Sequence, residues 1–167
     1  MDYKKLLDFT GKIVFVSGSS RGIGEAIARG FAANGAHVIV SSRDQDACEL
    51  VARSIRADDG LATAKACHAG RMDAVKETFD WIKENFGVLD VLVNCGGTNP
   101  YYGLIGDTPE KAFDKTIDVN LKGPFYLSAQ AVNMMKDGSG GAIVNVASIN
   151  GISPGDKQGI YSMTKAA

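Results

Sequence analysis

Tyr161-Ser-Met-Thr-Lys165 and Ser148 are the residues of this sequence best suited to moving a proton. Positions four apart on a helix lie one above the other, so Tyr161 and Lys165 can face the same cleft. A phenol with its ordinary pKa near ~10 is a poor base at neutral pH, and a neighbouring ammonium such as that of Lys165 favours the phenolate. Ser148 can donate a hydrogen bond to a carbonyl, or to the alkoxide that develops from it. Alone, a Tyr-x3-Lys pair also describes an exposed aromatic beside a solvated lysine. Its meaning rests on the elements that present it.

Those elements begin near the other end of the chain. Lys12-Ile-Val-Phe-Val-Ser17 is a short β-rich apolar run of the kind that forms a buried strand. Gly18-Ser-Ser-Arg-Gly-Ile-Gly24 follows at once, and then Glu25–Asn34 in a helical pattern closed by Gly35 as its C′ residue. Strand, glycine loop and helix in that order make a phosphate cradle, because the glycines let the backbone approach a pyrophosphate while the helix N-terminus offers free N–H groups. A flexible glycine turn between two core elements is the plainer alternative, and the strand–loop–helix context favours the cradle.

Further along, apolar runs and helical patterns alternate. Strands are expected near 13–17, 37–41, 62–67, 88–93 and 141–147, and helices near 23–34, 44–57, 71–86, 109–136 and from about 158 onward. Such alternation marks an α/β fold, a Rossmann-type doubly wound parallel sheet with helices on both faces. Asp137-Gly-Ser-Gly-Gly141 reads as a short turn and not a linker, so residues 1–167 are expected to form a single domain.

Composition agrees. The 167 residues are 45% hydrophobic, include 20 glycines and carry a formal net charge of -1, which fits a soluble globular chain and argues against a nucleic-acid partner. No apolar run approaches the ~20 residues of a membrane span. Met1–Asp8 lacks the long apolar core of a secretory signal. Cys48, Cys67 and Cys95 are odd in number and far apart, without a CxxC pair, and are read as reduced thiols of a cytoplasmic protein. Two histidines and no ligand cluster give no case for a metal.

The motifs taken together resemble the classical short-chain dehydrogenase/reductase family. Its Thr-Gly-x3-Gly-x-Gly pattern is matched by Ser17-Gly18-Ser19-Ser20-Arg21-Gly22-Ile23-Gly24, with Ser17 in place of threonine. Its Asn-Asn-Ala-Gly signature appears as Asn94-Cys95-Gly96-Gly97. Its mid-helix asparagine is matched by Asn120, and Ser148 with Tyr161-x3-Lys165 completes the set over nearly the whole chain.

The resemblance implies an oxidoreductase that passes a hydride between a nicotinamide cofactor and a small carbonyl or secondary-alcohol substrate such as a ketone, an aldehyde or a 3-oxoacyl thioester. Tyr161 would be the general acid or base. Lys165 would depress its pKa and bond the nicotinamide ribose, Ser148 would polarise the carbonyl, and Asn120 would bend its helix and hold a water that links Lys165 to solvent. Gly18, Ser20, Arg21, Gly22, Ile23 and Gly24 would hold the pyrophosphate, and the backbone at Asn94 and Gly96 would pass the nicotinamide ribose. An NAD enzyme of this kind has an acid at the end of the second strand; here the run is Ser41-Ser42-Arg43. Arg43 and Arg21 suit a 2′-phosphate, so NADP(H) is expected over NAD(H). The family often has Asp-Val after the third strand, where this chain has His68-Ala69, and His68 is expected near the adenine.

The same resemblance implies a chain cut short. Family members run to about 250 residues, so the rest of the Tyr161 helix, two more strands, a substrate-covering segment and part of a subunit interface would follow Ala167. A complete chain would be a homo-oligomer, dimer or tetramer. In a true fragment, the strand at 141–147 would be an unprotected edge, with poor solubility and little turnover. Two function classes stay open: an enzyme, or a non-catalytic NADP(H)-binding module or inactive remnant.

Overall fold

A computed structural model describes residues 7–136 and 138–167, so Met1–Leu6 and the first residue of the 137–141 turn lie outside it. Five strands, β1 (Ile13–Ser17), β2 (His37–Ser41), β3 (Leu61–Ala64), β4 (Val91–Asn94) and β5 (Ala142–Asn145), form one sheet in the order β3-β2-β1-β4-β5. Every pairing is parallel. The helices are α1 (Gly22–Ala33), α2 (Gln45–Ala57), α3 (Met72–Phe86), α4 (Glu110–Ile117), α5 (Gly123–Lys136) and α6 (Gly159–Ala166).

Side chains alternate across a strand, and both faces of this sheet are buried. Val14, Val16, Val38, Val40, Val91 and Val93 point to one face and meet α1 and α2 through Ala28, Ala32, Val51, Ala52 and Ile55. Phe15, Ile39 and Leu92 point to the other and meet α3 and α5 through Val75, Phe79, Ile82, Leu127 and Ala131. The narrow valines let α1 and α2 come close, while the wider Phe15 layer is filled by Phe79, 6.0 Å away ring to ring. The Asp90 carboxylate locks β4 to β1 from below, accepting from the Ile13 N–H at 2.9 Å and from Lys12 at 2.8 Å.

From β1 the chain builds outward to β2 and β3, then crosses back to place β4 and β5 on the other side of β1. A doubly wound sheet opens a crevice above the strand ends at such a reversal. It lies here between β1 and β4.

The helix expected over 109–136 is not continuous. It runs as α4, a wide π turn over Asp118–Lys122, and α5. Pro124 is the physical reason: it has no N–H to give the carbonyl four residues back, at Asn120, and its ring crowds that carbonyl. The backbone widens instead, and the Gly123 N–H bonds the Asp118 carbonyl. Strands β3, β4 and β5 are also shorter than the expected runs 62–67, 88–93 and 141–147, although Lys65 and Cys67 still donate to Val40 and Ser42 beyond the end of β3. β5 is an edge among the described strands, with Val144 about half exposed. Among the described residues no helix is long and apolar enough to cross a membrane, and no cluster of His, Cys, Asp and Glu is placed to hold a metal.

Leu92→Ala, at a fully buried position, should cost about 3 kcal/mol, seen as a lower urea midpoint at unchanged m value. His37, bonded to Thr63 at 2.8 Å and set edge-on to Phe86, is held below its ordinary pKa of 6.5 by burial. Below that pH the unfolded chain takes up a proton the folded one resists, so stability falls as pH drops through 6.5 and further. Urea midpoints from pH 7.5 to 5.5 should slope downward in the parent and be flatter in His37→Gln.

Candidate active site

The end of β1 leads straight into the glycine loop. Gly18 has φ +71°, and a β-carbon there would lie 2.5 Å from the Gly96 Cα in the loop after β4. A β-carbon on Gly24 would overlap the Gly18 carbonyl oxygen. Two serines pin this tight path. Ser17 Oγ accepts from the N–H groups of Cys95 (3.3 Å) and Gly96 (3.4 Å), tying β1 to the loop after β4. Ser19, fully buried, donates its hydroxyl to the Val16 carbonyl at 2.6 Å and accepts from the Ser41 N–H at 2.8 Å, while its own N–H donates to the Ser41 carbonyl at 2.9 Å. Arg21 stands at the N-cap of α1 and makes no side-chain cap bond, so the first amides of a 12-residue helix are left without a side-chain partner.

An open cleft of about 1000 Å³ runs from this loop across the ends of all five strands. One half is walled by Gly18, Ser20–Gly24, Arg43 and His68, the other by Gly96–Asn99, Ser148, Tyr161 and Lys165. Arg21 and Arg43 are exposed and form no ion pair with the described residues. Asp44 also reaches the cleft, but its carboxylate caps α2 by accepting from the Ala47 N–H at 3.1 Å. His68 keeps a buried Nδ1 without a hydrogen-bond partner.

In the second half, the Lys165 ammonium donates to the Val146 carbonyl at 3.0 Å and lies 5.9 Å from the centre of the Tyr161 ring. The Ser148 Oγ accepts from the Asn150 N–H at 3.2 Å, which leaves the serine hydroxyl hydrogen free to point into the cleft. Burial pushes the Cys95 thiol up, with the Lys165 charge pulling weakly the other way, so Cys95 is a neutral thiol beside the lysine.

Asn120 stands behind this wall. It is 7% exposed, accepts from the Thr98 N–H at 2.7 Å, and donates to the Thr98 carbonyl at 2.8 Å and to Thr164 Oγ1 at 3.2 Å. Its side-chain amide is thereby spent on fixing the loop after β4 against α6, one residue from Lys165. Asn94 is also away from the cleft: 4% exposed, it donates to Ser128 at 3.0 Å and to Asn145 at 2.8 Å. Any contact it makes with the cleft is through its backbone.

Sequence reasoning missed Ser19, Thr98, Thr164 and Gln158. The first three act on main-chain atoms or on Asn120, which no motif reports. Gln158 was legible in principle, since it precedes Tyr161 by three positions at the start of the same helix. Its Oε1 accepts from Asn150 Nδ2 at 3.0 Å and from Asn99 Nδ2 at 3.3 Å, clasping two loops at the cleft wall. Lys157, just before it, has φ +58° and gives its carbonyl to the Gly103 N–H at 2.9 Å.

The family model described as short chain dehydrogenase matches residues 12–167. Dehydrogenase/reductase SDR family member 4 of Homo sapiens is 35% identical over 156 residues, 93% of this chain and 56% of its own length. An uncharacterized oxidoreductase of Thermotoga maritima is 40% identical over 164 residues, 96% of this chain and 63% of its own. A metagenomic short-chain oxidoreductase solved in complex with NADP shares the fold with a TM-score of 0.90 at 33% identity, over 94% of this chain and 71% of its own. The chain thus spans little more than half the length of the curated relatives it matches. Motif order, sheet order and the match over residues 12–167 agree, and the protein belongs to the short-chain dehydrogenase family of oxidoreductases.

Proposed function

We propose that the chain is the dinucleotide-binding and proton-transferring domain of an NADP(H)-dependent oxidoreductase that interconverts a carbonyl compound and a secondary alcohol. The observation that carries this reading is the meeting of Ser148, Tyr161 and Lys165 on the wall of the same cleft that the glycine loop opens.

The residues present fit a dinucleotide. Gly18 and Gly24 leave no room for a β-carbon, so the loop backbone is as low as it can be, and the uncapped amides of α1 would meet a pyrophosphate there. The unpartnered Nδ1 of His68 offers a hydrogen bond at the adenine end. Arg43 and Arg21 would take the 2′-phosphate, a match for planar guanidinium. No carboxylate stands in the Ser41–Ser42 position to repel it, and the NADP bound by the 33%-identical relative agrees.

When bound, NADPH supplies the hydride. The protein's part is the oxygen end of the carbonyl. Ser148, held from behind by the Asn150 N–H, donates its hydroxyl hydrogen to that oxygen and stabilises the charge gathering there. Tyr161 donates the phenolic proton to it, with the Lys165 ammonium beside the ring. Because Lys165 is anchored on the Val146 carbonyl, its charge stays beside the ring without a strong ion pair to neutralise it. Asn120 is a positioning residue, setting α6 against the Thr98 loop.

Tyr161→Phe should lower NADPH oxidation by about 10³-fold across a panel of ketones and aldehydes, with NADPH affinity, read by fluorescence, within about threefold of the parent. Loss of cofactor binding in that variant would contradict the role given to the tyrosine. Arg43→Leu should raise the KM for NADPH about tenfold and leave that for NADH unchanged, the equivalent of one lost charge-assisted contact. Equal effects on both cofactors would sink the NADP assignment.

A further inference from the structure

Among the described residues, four cationic side chains and a single carboxylate line the cleft: Arg21, Arg43, Lys115 and Lys165 against Asp44. The chain as a whole carries a formal net charge of -1, so positive charge is gathered at the cleft and the rest of the molecule is acidic on balance. Asp44 is turned to its own helix, where it caps α2 through the Ala47 N–H at 3.1 Å, and Lys165 is fastened to the Val146 carbonyl at 3.0 Å. Lys115 has no such anchor. It is exposed and forms no ion pair with the described residues. Asp118, three residues on, is paired instead with Lys122 at 2.8 Å.

The fold places this lysine across the cleft from the two arginines. Arg21 and Arg43 lead into α1 and α2, which pack on the valine face of the sheet, while α5 packs on the Phe15 face. Lys115 lies in the last turn of α4, just before the π turn that runs into α5. Val119, four residues further, lines the cleft as well, and a β-carbon on Gly70, in the loop after β3, would lie 3.1 Å from its Cγ2. Cations therefore stand on both walls. A slot walled by one sign of charge focuses its field and raises the local concentration of a ligand of the opposite sign.

We infer that Lys115 is a steering residue, which speeds the entry of an anionic dinucleotide into the cleft through its long-range field and takes little part in holding it once bound. The inference rests on the dinucleotide reading above, in which NADP(H) carries one phosphate more than NAD(H). It divides the cations of the cleft by duty. On that reading Arg43 acts by contact with the 2′-phosphate and governs release, while Lys115 acts at a distance and governs capture. An ammonium on a flexible four-carbon stem, with nothing to fix it, keeps its hydration and suits a long-range pull better than a fixed contact. A charge at an exposed rim alters kon and its dependence on salt, whereas a contact made within the complex alters koff.

The test is stopped-flow fluorescence of the protein mixed with NADPH or NADH, which yields kon and koff separately, at ionic strengths of about 10 mM and about 500 mM, where screening is weak and then strong. In the parent, kon for NADPH should fall about fivefold or more between the two. Lys115→Gln, at an exposed helical position where both residues are accepted, should lower kon about threefold at low salt, leave koff unchanged, and match the parent at high salt. Lys115→Glu doubles the change in charge and should lower kon about tenfold. The loss for NADH should be smaller in each variant. Lys136→Gln removes an equal charge at the far end of α5 and should leave kon as in the parent. A parent kon that ignores salt overturns the inference. So does an effect of Lys115→Gln that persists at high salt or appears in koff, which would make Lys115 a fixed contact, and so does an equal loss in Lys136→Gln, which would make net charge the cause. Each of these outcomes leaves the dinucleotide reading standing, because the nucleotide still binds. Failure of the parent to bind either nucleotide overturns both.

Discussion

The near-contact of backbone between Gly18 and Gly96 is the constraint from which the rest of the site follows. These two residues leave the neighbouring strands β1 and β4, whose chains then depart toward opposite sides of the sheet. The crevice between the departing chains would be shallower by a side chain's height if either position carried one. Ser17 holds the two loops together by accepting from the amides of Cys95 and Gly96, so the floor of the cleft is hydrogen-bonded protein backbone. On that floor the glycine loop sets one half of the cleft, and the Asn94–Thr98 segment sets the other. The height at which Lys165 and Tyr161 stand is in turn set by Thr98, through Asn120 and Thr164.

Much of this arrangement was legible from residue types. The β-branched runs at 13–17 and 37–41 became strands at those positions, and Asp44, in the first position of the expected helix 44–57, proved to be the cap on Gln45–Ala57. Gly18, Ser20, Arg21, Gly22, Ile23, Gly24, Arg43, His68 and Gly96 were all expected at the cofactor, and all line the cleft, as do Ser148, Tyr161 and Lys165. What spacing alone could not report was the direction in which a polar side chain spends its hydrogen bonds. Asn94 and Asn120 look alike in sequence as amides beside a site. In the fold, one fastens β4 to β5 and α5 while the other fastens a loop to α6, and neither lines the cleft.

The break in the long helix shows a second limit. Periodicity ran on through 109–136 and the family resemblance put a bend at Asn120, but neither pointed to the proline at 124, which removes a donor next to the wide turn in which Asn120 sits. The break sets Asn120 where it can satisfy the N–H and the carbonyl of Thr98 at once. A local fault in the helix is therefore also what lets one amide hold two elements.

Ser19 carries a consequence for how such a site can change over time. It hydrogen-bonds the end of β2 through the amide and the carbonyl of Ser41 and to no side chain of that strand. The stretch at 42–44 is therefore mechanically attached to the glycine loop while its side chains stay chemically independent of it. If the proposed dinucleotide reading holds, substitutions there would retune the choice of dinucleotide without loosening the glycine loop, so the two properties would drift separately in one lineage.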